Sequence, residues 1–446
     1  MSIYLLALVW LQNPVIDEEL RVTYVLLDVK AADRRGNPVH DLKKEDFVVT
    51  ENKKPVEVTF FEMKDFQVGV PDVVQTGMRD YDRGKTPPGV RQIILALDFE
   101  SLDERQKTKT FAMLRDFLKN LEPPFTYLIN IHSLERGSVS DGFVSSPKRA
   151  IAALDAFEHR MKDLKFRGGN RGLLLGDGGD RGFQMSRGPV GSGGTRGEIG
   201  DFETLEEAFR ECVQNFNGMG GGALERCLND TLNQFMEMHQ FRTERVLGEL
   251  EILAATYTDT ESLKLMFFVS PGFTMSEPSS ATQMAVHILT EARSGTVDPR
   301  RQRQQPSLLR GRSYRKDLDL QRVLHTCIKN RVIFHTFDVY NTGAESKRAG
   351  SAKYQAGVSS EVRGFYRSYV NDVGYGLREL ANESGGSFTR VFTLRGPMIK
   401  TIAANQVFYV LGYNSPPGKA GKYRKIKIKS KRRGVKLAYR SGYFGG

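Results

Sequence analysis

The sequence predicts an α/β protein: a doubly wound, mostly parallel sheet, joined to a β-sandwich formed by the N- and C-terminal segments. Three observations lead there. Continuous apolar runs such as "IILALD" (93–98) and "LKLMFFVS" (263–270) suit strands covered on both faces. Amphipathic helical stretches alternate with those runs. The text before residue 88 and after residue 400 reads instead as short strands separated by turns.

Residues 1–21 include "MSIYLLALVWLQN", an apolar run as long as a signal-peptide core, with no basic residue before it and no small-x-small cleavage site after it. This is a degraded signal segment or a buried N-terminal strand. Residues 22–87 form an N-terminal β segment. In it "VTYVLLDVKAAD" is a strand, "RRGNPV" a turn, and "DFVVTENKKPVEVTFF" a hairpin bending at Asn52 to Lys54. Residues 88–400 carry the alternating pattern, with further strands at 126–132 and 331–339. Phe111, Leu114, Phe117, Leu118 and Leu121 recur three and four apart, which is one face of a helix. Leu377 and Leu380 belong to another helix, which Gly385 and Gly386 end as a C-cap would. Two insertions interrupt this domain. Residues 167–197 are glycine-rich and residues 293–316 basic and proline-containing, and both lack the apolar content for a core, so they read as flexible. Residues 401–446 are a basic β segment with strands at 407–413, 423–431 and 435–444. Neither terminal set makes a two-layer core alone, so the expectation is one sandwich with the parallel domain inserted between its halves.

A chain of 446 residues exceeds what one core normally serves. Its net charge of +12 is concentrated at one end, since the last 29 residues hold eleven Lys or Arg and no acid. Cys212, Cys227 and Cys327 show no CxxC spacing and suggest neither a zinc knuckle nor a disulfide framework. No run after the N-terminus is long enough to span a bilayer.

The chemistry concentrates at "LALDFESLDE" (95–104), where an apolar strand ends on Asp98. In a doubly wound sheet, ligands gather at the carboxyl ends of strands, and a hard cation such as Mg²⁺ takes carboxylate, hydroxyl and water oxygens there. The chain resembles the von Willebrand factor A-type domain, and more closely its acidobacterial branch, usually called VWFA-related. The segments that carry the resemblance cover nearly the whole chain: "LLDVKAADRRGNPVHDLKKEDFVVTENKKPVEVTFF", "IILALDFESL", "LKLMFFVSPGF", "VIFHTFDVYNTG", "LANESGGSF" and the ending from "VFYVLGYNSPPG" to "LAYRSGYF". The resemblance implies a metal-ion-dependent adhesion site built from a D-x-S-x-S loop, a threonine and a later aspartate. Asp98 keeps the first place, while Glu100 and Leu102 stand at the serine places. Gly222 stands where the threonine would be and Pro271 where the aspartate would be. A metal here would be Mg²⁺ on Asp98 and Glu100. The structural alternative is a capping box, with Ser101 and Glu104 satisfying free amides at the start of the following helix.

Lys425, Lys427, Lys429 and Lys431 alternate on one strand face, which is an anion-binding surface, a solvated face or a lysine-protected edge. Five Arg-Gly pairs, beginning at Arg167, Arg171, Arg181, Arg187 and Arg196, are similar to RG-rich RNA-binding segments, but aromatics are sparse around them. "GMRDYDRGKT" (77–86) has the wrong glycine spacing for a phosphate loop. No G-x-S-x-G or H-E-x-x-H occurs, and His132 and His335 sit inside strands as structural residues would. The expected function is a non-enzymatic protein-binding module with a degenerate metal site. Its recognition rim is Asp98, Glu100, Ser101, Gly222 and Ser270, and the resemblance implies adhesion or assembly at the bacterial envelope. The rivals are polyanion or nucleic-acid binding through the RG-rich insertion and the lysine strand, an unrecognised hydrolase, and, for location, the cytoplasm.

Overall fold

The structure, a computed structural model, describes residues 24–65, 91–121, 127–140, 142–144, 146–168, 202–216, 222–257, 263–294, 315–340, 360–417 and 421–444. The signal-like segment 1–21, the 77–86 stretch, four of the five Arg-Gly pairs and most of both insertions lie outside these residues. Arg167 and Gly168 end a helix.

The N-terminal strands are β1 (Tyr24–Ala32), β2 (Phe47–Glu51), β3 (Lys54–Val56) and β4 (Phe60–Asp65). A two-residue turn joins β2 to β3, with Asn52 and Lys53 both at positive φ (48° and 70°), the geometry that matches strand twist in tight hairpins. The hairpin is shorter than the sequence suggests. Pro55 has no N–H for another partner, so β3 is an edge strand of three residues, and the chain then crosses to a different sheet as β4.

The central strands are β5 (Arg91–Leu97), β6 (Tyr127–Ser133), β7 (Gly137–Ser138), β8 (Lys264–Ser270), β9 (Val332–Asp338) and β10 (Ser387–Arg390). They form one sheet in the order β10-β9-β8-β5-β6-β7, parallel throughout except for β7 against β6. Eight helices accompany them among the described residues: α1 (Glu104–Lys119), α2 (Pro147–Gly168), α3 (Phe202–Phe216), α4 (Ala223–Thr256), α5 (Ser279–Ser294), α6 (Asp317–Lys329), α7 (Ser360–Ser384) and α8 (Arg395–Ala404). Alternate strand residues serve opposite faces. Ile93, Leu95, Phe267 and Phe337 pack under α1, α2 and α8. Ile94, Ala96, Phe268 and Phe334 pack under α6, α7 and the second half of α4.

A third core lies beyond the carboxyl edge of this sheet. The first half of α4 packs there with α3, α5 and α7 through Phe209, Leu228, Phe235, Met284 and Tyr369. A disulfide joins Cys212 of α3 to Cys227 of α4. The spacing of the cysteines suggested no such bond, because a pairing across two helices obeys no short spacing rule. Closing a loop of this length contributes about 3 kcal/mol. Cys327 is a buried free thiol.

The last strands are β11 (Val407–Asn414), β12 (Tyr423–Ser430), β13 (Lys436–Ala438) and β14 (Gly442–Phe444). They pair with the N-terminal strands into two antiparallel sheets, β13-β1-β11-β4 and β14-β12-β2-β3. The two sheets share a core of Leu27, Val29, Val49, Leu411, Ile426 and Ile428. The expected single strand at 435–444 is broken at 439–441, and its halves join different sheets. The Tyr439 hydroxyl takes the place of a strand partner there, accepting from Ile428 N (2.8 Å) and donating to Ile428 O (3.0 Å). Strand β11 serves two cores at once: Tyr409 and Leu411 face the sandwich, while Phe408 and Val410 enter the core beside α8.

Glu51 is buried inside the sandwich. It accepts from Arg424 Nη1 (2.9 Å), Tyr413 Oη (2.9 Å), Tyr443 Oη (2.8 Å) and Ser415 Oγ. Burial raises its pKa, but the hydrogen bonds from Arg424, Tyr443, Tyr413 and Ser415 together outweigh burial and hold it below the usual carboxylate range. Stability from a depressed carboxyl is present above its unfolded pKa and lost as pH falls through the folded value. Acid unfolding of Glu51→Gln should therefore lack part of the wild-type pH dependence below about pH 4.5. Tyr443→Phe should cost about 1–3 kcal/mol in urea unfolding at neutral pH, because a buried carboxylate loses a donor.

Candidate functional site

Parallel strands point their carboxyl ends the same way, and the connections reverse direction between β5 and β8. A crevice opens where that happens. Asp98 follows β5, and its N–H donates to Val269 O (3.0 Å), extending the ladder by one residue. Ser270 ends β8 beside it. The Ser270 hydroxyl donates to Asp98 Oδ2 (2.7 Å) and accepts from Gly272 N (3.0 Å).

The other side of the Asp98 carboxylate meets an arginine that the sequence reading missed. Arg245 Nη2 lies 3.4 Å from Asp98 Oδ1 and donates to Ser101 Oγ at 3.0 Å. Nη1 of the same guanidinium pairs with Glu100 Oε2 and lies 3.8 Å from Glu135 Oε1. Glu135 follows β6. It accepts from Glu100 N (3.0 Å) and from Ser133 Oγ (2.7 Å). Three carboxylates and the Ser101 hydroxyl thus gather around one guanidinium. Burial, followed by the negative charge of Asp98, raises the Glu135 carboxyl to about 7.

Asp98 and Ser270 are fully buried, whereas the Glu100 side chain is 49% exposed and that of Arg245 24%. The expected recognition rim therefore reaches solvent mainly through Glu100 and partly through Ser101. Gly222 is not part of it. It caps the start of α4 at φ +72°, and Arg245 lies 23 residues further along that helix, about 34 Å at 1.5 Å per residue. Residues 222–228, which begin at the threonine place, open α4 and enter the third core.

Ser101 is not the helix cap. Asp103 caps α1, accepting from Gln106 N (2.8 Å) while Gln106 Oε1 accepts from Asp103 N (3.0 Å). Both "SLDE" and "DERQ" fit the capping-box spacing, and the helix begins at the second. Ser101 is left free to meet Arg245.

These residues do not fit a Mg²⁺ ion. Both oxygens of Asp98 are engaged, Glu100 is paired, and a guanidinium stands where a cation would neutralise them. Among the described residues, no group of three or more His, Cys, Asp or Glu is arranged to hold a metal. Two signals pointed to the missing residues. Glu135 closely follows the strand beside β5, and Arg245 is a charge among the apolar positions of α4 that cover the sheet.

Elsewhere, His335 is buried with Nδ1 on Ser387 Oγ (2.8 Å) and Nε2 on Asn405 (3.2 Å), a structural role. Burial lowers the pKa of the half-buried His132. Asp338, across the ladder from Ser270, pairs with Arg390 (2.7 Å). Lys425, Lys427 and Lys429 are exposed on one face of β12, and Lys431 lies one residue beyond the strand. Strand β12 pairs with β14 only from Tyr423 to Lys425 and with β2 from Ile426 to Ser430, so Lys427 and Lys429 lie where the strand has a partner strand on one side alone.

Comparison with family models, curated proteins and solved structures finds no match for the chain.

Removing one partner of a buried ion pair leaves an uncompensated charge. Arg245→Ala should lower unfolding stability by about 3 kcal/mol or more, and Asp98→Asn added to it should recover part of that loss. A raised carboxyl contributes stability that is complete below its unfolded pKa and lost as pH rises through its folded value. Wild-type stability should therefore decline between about pH 4.5 and 7 by an increment that Glu135→Gln does not show, measured by urea unfolding across that range.

Proposed function

We propose that the chain is a non-enzymatic protein-binding module of the von Willebrand A-like, VWFA-related type, serving adhesion or assembly, in which an arginine takes the part of the metal. The observation that carries this reading is the Arg245 guanidinium among Asp98, Glu100, Ser101 and Glu135. The reversal of strand order at β5 and β8, with helices on both faces, supports a doubly wound architecture of that type. The Cys212–Cys227 disulfide supports an oxidising compartment such as the periplasm or cell envelope. Among the described residues, no helix is long and apolar enough to cross a membrane.

The accessible part of this region is Glu100 together with Phe241, which lies one turn before Arg245 on α4 and is 67% exposed. An exposed aromatic beside a charged rim is the kind of anchor that protein interfaces use.

The test is calorimetric titration of the purified chain with Mg²⁺ and Mn²⁺, beside Asp98→Ala. The expected outcome is no binding to the wild type. Ion binding that Asp98→Ala abolishes would overturn the arginine reading. A partner recovered by cross-linking should bind equally well in EDTA and at least tenfold more weakly to Phe241→Glu. A partner indifferent to that change would sink the assignment of this face.

A further inference from the structure

The outer face of the β14-β12-β2-β3 sheet carries a row of positive charges. Lys425, Lys427 and Lys429 project from it, and Lys431 and Arg433 continue beyond the strand end. Asn52 N donates to Lys425 O, which brings the turn at Lys53 beside the first lysine of the row. Among the described residues, none of these six side chains has an ion pair or hydrogen bond, whereas neighbouring Arg432 is paired with Asp41. The strand neighbours of Lys427 and Lys429 are Thr50 and Val48, and the one acid of β2, Glu51, points into the core. Carboxylates stand at the two ends, with Glu383 by Tyr423 and Asp46, whose carbonyl accepts from Lys431 N, and the exposed Glu57 follows β3 on the far side of β2.

A row of like charges is self-repulsive, and an anionic partner relieves that. The geometry of the row selects among anions. Residues two apart on a strand are about 7 Å apart, so the amines repeat at a regular interval along a line. That interval is close to the separation of adjacent phosphates along one nucleic-acid strand. Lysine binds phosphate as a point charge, without the planar fork that arginine uses. Tyr423 is the one aromatic residue of β12 and stands before the lysine row, so the strand offers no series of rings on which successive unpaired bases would stack. A cleft of about 510 Å³ beside Lys425 and Lys427, lined also by Asn382, Gly385, Tyr439 and Ser441, gives a backbone room to approach the row.

We propose that this face docks the sugar-phosphate backbone of duplex nucleic acid, independently of base sequence. The surface is separate from the Asp98 region and stands or falls without it.

The test is fluorescence anisotropy of the full chain with a labelled mixed-sequence DNA duplex of about 20 base pairs, from 50 to 200 mM salt. Binding should weaken steeply with salt. The triple variant Lys425→Gln, Lys427→Gln, Lys429→Gln should bind at least tenfold more weakly, with a log–log salt slope shallower by about 2.7, which is 0.9 per phosphate contact. A charge-matched control, Lys119→Gln, Lys148→Gln, Lys400→Gln, should bind as the wild type does. Circular dichroism should show both variants folded, since all six lysines are exposed. Absence of binding at 50 mM salt would overturn the proposal. So would equal losses in both triples, or tighter row-dependent binding to vesicles of anionic lipid, an acidic polysaccharide or an acidic protein.

Discussion

A carboxylate taken out of water must be neutralised, and at Asp98 that requirement shapes much of the chain. The fully buried Asp98 stands at the carboxyl edge of a parallel sheet, where the strand-to-loop turn leaves its side chain pointing at the crevice. The neutralising charge comes from α4, which lies against the sheet. To set Arg245 at that edge while Val246 to Ala254 cover the strands, the helix must extend past the edge. Its first half then exposes an apolar face beyond the sheet, which α3, α5 and α7 cover and the Cys212–Cys227 bond ties down. The third core and the Arg245 guanidinium thus share one helix.

The same rule operates in the sandwich with a different solution. Glu51 and Arg424 are both buried there, and two tyrosines and a serine complete the shell of the carboxylate. A buried pair of this kind adds little net stability compared with an apolar replacement, but losing one partner is expensive, so the pair fixes which strands lie together. Glu51 comes from β2 and Arg424 from β12, one from each terminal segment. The pair joins the two ends of the chain, and β11 binds that union to the parallel domain by offering one face to each core.

The fold was legible wherever periodicity carried it. The runs at 93–98, 263–270 and 331–339 became buried parallel strands, because an apolar sequence of that length between turns has few alternatives. The union of both termini in one sandwich followed from arithmetic: neither set had enough strands to cover itself. What failed to show was everything decided by contact between distant residues. Periodicity cannot say that Tyr439 would satisfy Ile428 and divide the last strand, nor that Cys212 would meet Cys227. The first turn of α1 illustrates the limit well. Two overlapping capping boxes were written in the sequence, and spacing alone does not choose between them. At the site, Asp98, Glu100, Ser101 and Ser270 were found because strand ends are readable. Gly222 was misplaced because a motif alignment ignored that its helix runs away from the crevice. Arg245 was missed because a single arginine in a long amphipathic helix looks like a surface charge.

Substituting an arginine for a metal ion changes what such a site can do. A bound ion exchanges with solvent, so its occupancy follows ion concentration, and it keeps coordination positions for an incoming ligand. A guanidinium is covalently tethered, permanently charged and limited to five planar donors. Here those donors are directed at Asp98, Glu100 and Ser101, which leaves little for a partner to complete. On the proposed reading, recognition at this edge depends on what the cluster leaves exposed, the outer part of Glu100 and the neighbouring Phe241. The Arg245 charge is paired with carboxylates of its own fold, whereas the exposed lysines of β12 have no ion pair among the described residues.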